Sequence, residues 1–362
     1  MDFRKRFGPW ALVTGASSGI GAAFARELAA HGLDVVVTAR RADRLDQLAS
    51  ELRAAHGVRV EVVALDLERP DFIEPLVRAC ADKDVGLVVS NAGFGLKGEH
   101  HTLDGARLTG MLNVNCHAPM LLARAFAPRL IARGRGGLLL TGSIEGFIGF
   151  PWSAAYAATK AFVMTLGEAL WAELRSHGVD VLVLAPGATD TDAPTLQGID
   201  KHQLAGLMPP AEVARQALAR LGGPPLFVPG WLNRAMVRFL TTVPRRMGVL
   251  AAGKGMRDAI RRSARTTLGH GARAGILCAI AVRDCPEHAR RRGLRARAVR
   301  RQRERSAGLL GRRRRRRVRR RQRRPLLRRV RARVGRSLRA VDRRTVSTVM
   351  PPRAAAPRPS SD

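Results

Sequence analysis

A doubly wound parallel α/β sheet of about seven strands is the fold this sequence predicts, and three features predict it. Short apolar runs of strand length alternate with longer segments whose apolar residues recur at the helical period. The short runs are almost continuous Val and Leu, as in strands covered on both faces. The links between them are brief, so successive strand–helix–strand units wind as right-handed crossovers.

The elements follow in order. Trp10–Thr14 reads as the first strand, and Ile20–Ala30 as a helix with Ile20, Phe24 and Leu28 on its apolar face. Leu33–Ala39, Val58–Leu65 and Val85–Ser90 read as the next strands, separated by helical patterns at Arg44–Ala55 and Phe72–Ala81. A long helical segment covers Leu103–Arg133, followed by strand Gly137–Thr141, helix Ala154–Ser176 and strand Val179–Ala185. Ala211–Leu221 is helical and Leu226–Val228 is the last strand. Residues 231–250 are amphipathic: Trp231, Leu232, Ala235, Met236, Phe239 and Leu240 share one face, and Arg234 and Arg238 lie on another. This stretch reads either as a terminal helix packed on its own domain or a sister subunit, or as a helix lying on a membrane surface. Residues 1–260 thus make one domain, with 231–260 as its extension.

Charge divides the chain. Of 64 Lys+Arg and 29 Asp+Glu, residues 1–260 hold 29 and 24, whereas 261–362 hold 35 arginines against five acids. That tail lacks Phe, Trp and Tyr and has only 18 Leu, Ile or Val among 102 residues, too few to offset the entropy of ordering it. It reads as a disordered low-complexity segment with nonspecific attraction for polyanions. It also reads as a G+C-rich gene translated in a shifted frame. Four cysteines exclude a disulfide scaffold and show no metal-ligand spacing. No apolar run reaches the roughly 18 residues of a membrane span, and no signal-like segment opens the chain. The body is expected in the cytoplasm.

The chemistry concentrates at three places. The first strand ends in Thr14-Gly15-Ala16-Ser17-Ser18-Gly19-Ile20-Gly21 and a helix follows at once. Glycines there let the backbone approach a pyrophosphate, while the helix N-terminus offers free N–H groups. The second strand ends Ala39-Arg40-Arg41, where an NAD site wants a carboxylate for the ribose 2′-hydroxyl. Arginine suits a 2′-phosphate instead, which predicts NADP(H) over NAD(H). Tyr156 and Lys160 stand four residues apart on one helical face, and Tyr156 is the only tyrosine in the chain. A fixed ammonium near a phenol is expected to lower its pKa toward neutrality and make it an acid–base group.

With these motifs on the page, residues 8–230 resemble the short-chain dehydrogenase/reductase (SDR) family, in its DltE-like, 3-oxoacyl reductase-like or hydroxysteroid reductase-like branch. Thr14–Gly21 resembles the family's cofactor turn, Asp66 the acid that holds the adenine amino group, and Asn91-Ala92-Gly93 its NAG element. Asn115, Ser143, Tyr156 and Lys160 match the catalytic tetrad, and Pro186-Gly187 with Thr191 match the element beside the nicotinamide. Ser90 and Gly142 depart from the commonest pattern, at places that supply no catalytic side chain. The resemblance implies a Rossmann-type sheet, a dimer or tetramer, and carbonyl–alcohol interconversion by hydride transfer. Ser143 and Tyr156 would bind the substrate oxygen and Tyr156 would pass the proton. Lys160 would lower the Tyr156 pKa and hold the nicotinamide ribose, and Asn115 would position water for a relay.

Three loops are expected to line the substrate pocket: Phe94-Gly95-Leu96, the stretch 144–152, and the segment after Thr191 to about Met208. The second is rich in aromatics, with Glu145 as its one acid. An apolar or amphipathic carbonyl compound fits such walls. Two alternatives of other classes stand beside the enzyme: a dinucleotide-binding sensor without turnover, and a nucleic-acid binder acting through the arginine tail.

Overall fold

The computed structural model describes residues 2–263 except 202, 203, 205 and 261. The readings of the tail from residue 264 onward lie outside the described residues. The first element is a short helix, α1 (Phe3–Phe7), which the composition does not announce. It is clipped to the domain by Arg6, whose guanidinium donates to both carboxylate oxygens of Asp180 at 2.5 and 2.7 Å.

Seven strands follow: β1 (Trp10–Thr14), β2 (Asp34–Ala39), β3 (Val60–Ala64), β4 (Val85–Ser90), β5 (Gly136–Thr141), β6 (Val179–Leu184) and β7 (Leu226–Phe227). All pairings are parallel, in the order β3-β2-β1-β4-β5-β6-β7. The strands match the sequence reading to within two residues at each end. The order reverses between β1 and β4, the switch point beyond whose carboxyl strand ends doubly wound sheets bind their ligands. Thr14 and Ser90 end the two strands that flank it.

The period-two alternation of each strand builds two cores. Ala11 and Val13 of β1 face a core containing Phe24 and Leu28 of α2 (Gly19–Ala30), Leu45 and Leu52 of α3 (Ala42–His56), and Val213 of α9 (Pro210–Arg220). Leu12 faces the other core, with Leu76 of α4 (Ile73–Ala79), Leu122 and Phe126 of α6 (Ala118–Arg133), and Leu174 of α7 (Ala154–Leu174). Each of these buried Val, Leu and Phe side chains contributes about 1.5–3 kcal/mol. Helix α3 stops where Gly57 takes φ +64°, and its N–H caps the Arg53 carbonyl.

The segment read as one helix over Leu103–Arg133 has a widened turn in its middle. Helix α5 (Gly105–Leu112) passes through a π-helical turn, Asn113–His117, before α6 begins. The extra residue per turn coincides with Asn115, whose side chain is drawn inward to bind a neighbouring loop. Such π turns are frequent at functional sites, and apolar periodicity does not reveal them.

Beyond Thr191 lie a short helix α8 (Ala193–Leu196), then α9 and α10 (Trp231–Thr242). Helix α10 packs on the domain through Asn233, Val237 and Leu240. Of the apolar face read from the sequence, Leu240 is buried against the domain, whereas Trp231, Leu232, Met236 and Phe239 are exposed. Trp231 and Phe239 stay 73% and 59% exposed. A further helix spans 245–260, with Gly253 against Pro151 and Trp152. No helix among the described residues is long and apolar enough to cross a membrane.

Candidate active site

The glycine-rich turn joins β1 to α2. Gly15 has φ +68°, and a Cβ there would lie 2.8 Å from the Ala92 backbone, so only glycine fits beside the end of β4. The Thr14 hydroxyl accepts the N–H groups of Asn91 and Ala92 at 3.0 Å each, and Asn91 Nδ2 donates to the Thr14 carbonyl at 3.2 Å. These bonds weld the two motifs across the switch point. Ser18 precedes α2 without capping it, which leaves the first N–H groups of the helix free for an anion. Thr191 comes down on the same turn, its methyl 2.9 Å from where a Gly19 Cβ would sit. Asp66 bonds the Glu68 N–H at 3.0 Å after β3.

The two arginines after β2 diverge. Arg40, the residue matched to the 2′-phosphate, instead pairs with Glu68 at 2.9 Å, largely in solvent. Arg41 turns back over the glycine-rich turn, where its guanidinium donates to the Ser17 and Ser18 hydroxyls at 2.9 and 2.8 Å. Of the two, Arg41 is the one that lies over the glycine-rich turn. The strand end leads straight into α3, and this sets which of two adjacent side chains faces the crevice.

Around the crevice mouth the other motifs converge. Lys160 is buried and donates to the Thr141 carbonyl at 2.7 Å. A Cβ on Gly93 would lie 3.2 Å from that ammonium and 3.1 Å from Asn115 Oδ1, so the NAG glycine, Lys160 and Asn115 meet at one point. The Asn115 amide donates to the Phe94 carbonyl and to Thr159 Oγ1 at 2.9 and 3.0 Å, and Oδ1 accepts the Phe94 N–H at 3.1 Å. One Oδ1 lone pair is left over. Asn115 therefore ties the loop after β4 to helix α7.

Tyr156, half-buried in the first turn of α7, faces Ser143, whose hydroxyl acts to lower the phenol's pKa. Its ring lies 5.7 Å from the Lys160 ammonium. The sequence led us to expect a phenol brought toward neutrality by that lysine. Instead burial, and next the Glu145 carboxylate, push the Tyr156 pKa above a phenol's ordinary value, and Ser143 offsets this only in part. Burial also brings Lys160 down to about 8, against the opposing pull of Cys116 and Glu145. At Lys160 desolvation outweighs the Coulomb attraction of those two groups, whereas at Tyr156 desolvation and the Glu145 charge act in the same direction.

Sequence reasoning missed Lys97. Its ammonium is bonded to both Glu145 oxygens at 2.6 and 2.7 Å and to Ser153 Oγ at 2.7 Å. It also sits 4.7 Å from the centre of the Tyr156 ring. The available signal was rarity: the chain has six lysines against 58 arginines, so each retained lysine carries information.

The family model for short chain dehydrogenase matches residues 9–200. The chain is 32% identical over 257 residues to a 7beta-hydroxysteroid dehydrogenase of Clostridium sardiniense, across 70% of this chain and 98% of that one. It is 33% identical over 183 residues to the very-long-chain 3-oxoacyl-CoA reductase of Homo sapiens, across 49% and 59% of the two chains. Among solved structures, a short-chain dehydrogenase from Sphingobium yanoikuyae in complex with NADPH superposes with a TM-score of 0.59 at 33% identity, covering 66% of this chain and 96% of that one. The chain belongs to the short-chain dehydrogenase family, as an NAD(P)-dependent oxidoreductase of its hydroxysteroid and oxoacyl reductase-like branch.

Proposed function

We propose that the protein interconverts an apolar ketone and its alcohol with NADP(H), using Tyr156 as proton donor and acceptor. One observation carries this reading: Tyr156 stands against Gly95 of the loop after β4, with the Lys97 and Lys160 ammoniums beside its ring, next to a turn suited to a dinucleotide. The residues present fit that group. The turn has no side chain where the pyrophosphate backbone would approach, the α2 N–H groups are free, and Arg41 stands over Ser17 and Ser18. NADPH, when bound, supplies the hydride to the carbonyl carbon. Tyr156 gives its proton to the developing alkoxide, and Ser143 donates a second hydrogen bond to the same oxygen. Pre-aimed donors in a dry site stabilise that charge without reorganisation. Asn115 and Lys160 hold the floor of the crevice in place, and Lys160 hands a proton toward Tyr156.

Phe147, Phe150 and Trp152, in the segment between Ser143 and Tyr156, favour a bulky apolar substrate of the steroid or long-chain 3-oxoacyl class, the classes named for the relatives. The full chain is expected to oxidise NADPH with bulky apolar ketones and to ignore small charged keto acids. Turnover confined to the small charged compounds, or none with any carbonyl, would refute the reading.

The exposed face of α10 favours peripheral attachment to an anionic lipid bilayer. Trp231, Met236 and Phe239, with Met247 and Leu250 on the next helix, are large apolar side chains in solvent. Arg234, Arg238, Arg245, Arg246 and Lys254 are exposed around them, and no Asp or Glu occurs between 229 and 257. Apolar groups flanked by cations suit an anionic headgroup layer, whereas a second copy of this face would bring like charges together. Replacing Trp231 and Phe239 with Ser should lower co-sedimentation of the full chain with phosphatidylserine–phosphatidylcholine vesicles severalfold. The arginine tail is common to both proteins, so unchanged sedimentation would count against the helix.

A further inference from the structure

Lys97, Glu145 and Ser153 form a cluster that the proton step as described does not use. The Lys97 side chain is only 3% exposed. It comes from the loop after β4, Glu145 from the turn that follows Ser143, and Ser153 from the residue that opens α7. The cluster therefore joins the three segments that present the catalytic groups. Ser153 occupies the N-cap position of α7, yet its hydroxyl makes no cap bond and is given to Glu145 instead. A forgone cap is a stability cost, and it is borne next to the catalytic helix turn. Trp152, just before it, is the one non-glycine residue among those described with a positive φ, +60°. It is held there by the Gly98 N–H on its carbonyl at 2.8 Å and by the Arg257 guanidinium 5.6 Å from its ring. Strain of this kind persists where surrounding contacts over-determine a segment.

Lysine suits this place better than arginine. Its compact ammonium has three donors, and here they meet two carboxylate oxygens and one hydroxyl while the same charge rests on the Tyr156 ring. We propose that Lys97, Glu145 and Ser153 are positioning residues: a buried ionic clasp that holds the Tyr156 phenol against Ser143 and balances the charge beside it. The proposal rests on Tyr156 being the proton donor. The groups facing that phenol are Lys97 and Glu145 from the two loops, Lys160 from its own helix, and the Cys116 thiol behind Lys160, which burial keeps protonated. With the clasp intact, the Lys97 ammonium pairs with the Glu145 carboxylate, and only the remaining field of that carboxylate raises the Tyr156 pKa. With Lys97 removed, a buried carboxylate faces the phenol alone, and the phenolate becomes harder to form.

Because Tyr156 is the only tyrosine, tyrosinate ultraviolet absorbance reads it directly in the full chain, without a substrate. Lys97→Met is expected to raise the tyrosinate midpoint, weakening phenol ionisation about tenfold or more; tyrosinate that forms before alkaline unfolding in the unaltered protein but only with unfolding in the variant counts as that rise. Adding Glu145→Gln to Lys97→Met removes the unpaired charge and should bring the midpoint back to that of the unaltered protein or below it. Both variants should retain NADPH affinity and lose kcat about tenfold or more, since the phenol is no longer held. A midpoint unmoved by Lys97→Met, or a rise that Glu145→Gln does not cancel, overturns the clasp. Should Lys97→Met not fold, the double variant decides through kcat, and an unaltered kcat overturns the proposal. Failure of the underlying reading looks different: Tyr156→Phe would then turn over normally whatever the midpoints do.

Discussion

Tyr156→Phe should abolish turnover while leaving the fold and cofactor binding intact. The substitution removes one oxygen from a ring whose packing is otherwise kept, with Gly95 and the two lysines around it. What is lost is the proton that neutralises the alkoxide. General acid catalysis is worth about 10²–10⁴-fold, or roughly 3–5 kcal/mol at 1.36 kcal/mol per decade. The loss should fall on kcat and kcat/KM alike, because the interaction is made only as charge develops. Stopped-flow NADPH oxidation measures the step, and NADPH fluorescence titration checks that binding survives. A variant within a few-fold of the parent would remove the proposed mechanism.

The pH dependence follows from the same surroundings. A phenol held above its ordinary pKa stays protonated through neutral pH, so carbonyl reduction should not be limited by Tyr156 there. Lys160 titrates near 8: it is charged below that value and neutral above it. Its folded-state pKa is depressed below the ordinary lysine value, so the ammonium that supports proton delivery is lost as pH rises through about 8. The kcat/KM for reduction should therefore decline above that point. Alcohol oxidation, which needs the phenolate, should gain with rising pH until Lys160 discharges.

How much of this was legible in the sequence depended on the range of the interactions. The seven strands were readable because covered parallel strands need Val and Leu at almost every position, as in Asp34–Ala39 with Val35, Val36 and Val37. The glycine turn was readable because positive φ at Gly15 and Gly19 leaves a mark in composition. The π turn at Asn115 was not, because it arises from side-chain bonds to Phe94, 21 residues away. Lys97 and Glu145 are 48 residues apart, and no local pattern connects them. The Tyr156 pKa was misjudged for a related reason. Spacing announces a nearby charge, but the desolvation that outweighs it comes from the assembled loops.

The same limit separates Arg40 from Arg41, and here the structure makes a sharp prediction. Arg41→Ala should cut the proposed preference for NADPH over NADH, whereas Arg40→Ala should barely change it. Arg41 meets the Ser17 and Ser18 hydroxyls, and together they offer several donors to one anion. Charge-assisted bonds of that kind contribute about 1.5–3 kcal/mol, which corresponds to roughly 10–150-fold in the ratio of kcat/KM for the two cofactors. Arg40 spends its guanidinium on Glu68 at a solvent-exposed pair, where about 0–1 kcal/mol is at stake. Because a 2′-phosphate is remote from the reacting carbon, losing its partner should raise KM for NADPH and leave kcat nearly unchanged. Steady-state kinetics with both cofactors on the two variants measures the difference. A larger effect from Arg40→Ala would restore the assignment made from spacing alone. An unchanged ratio in both variants would mean that neither arginine reads the phosphate.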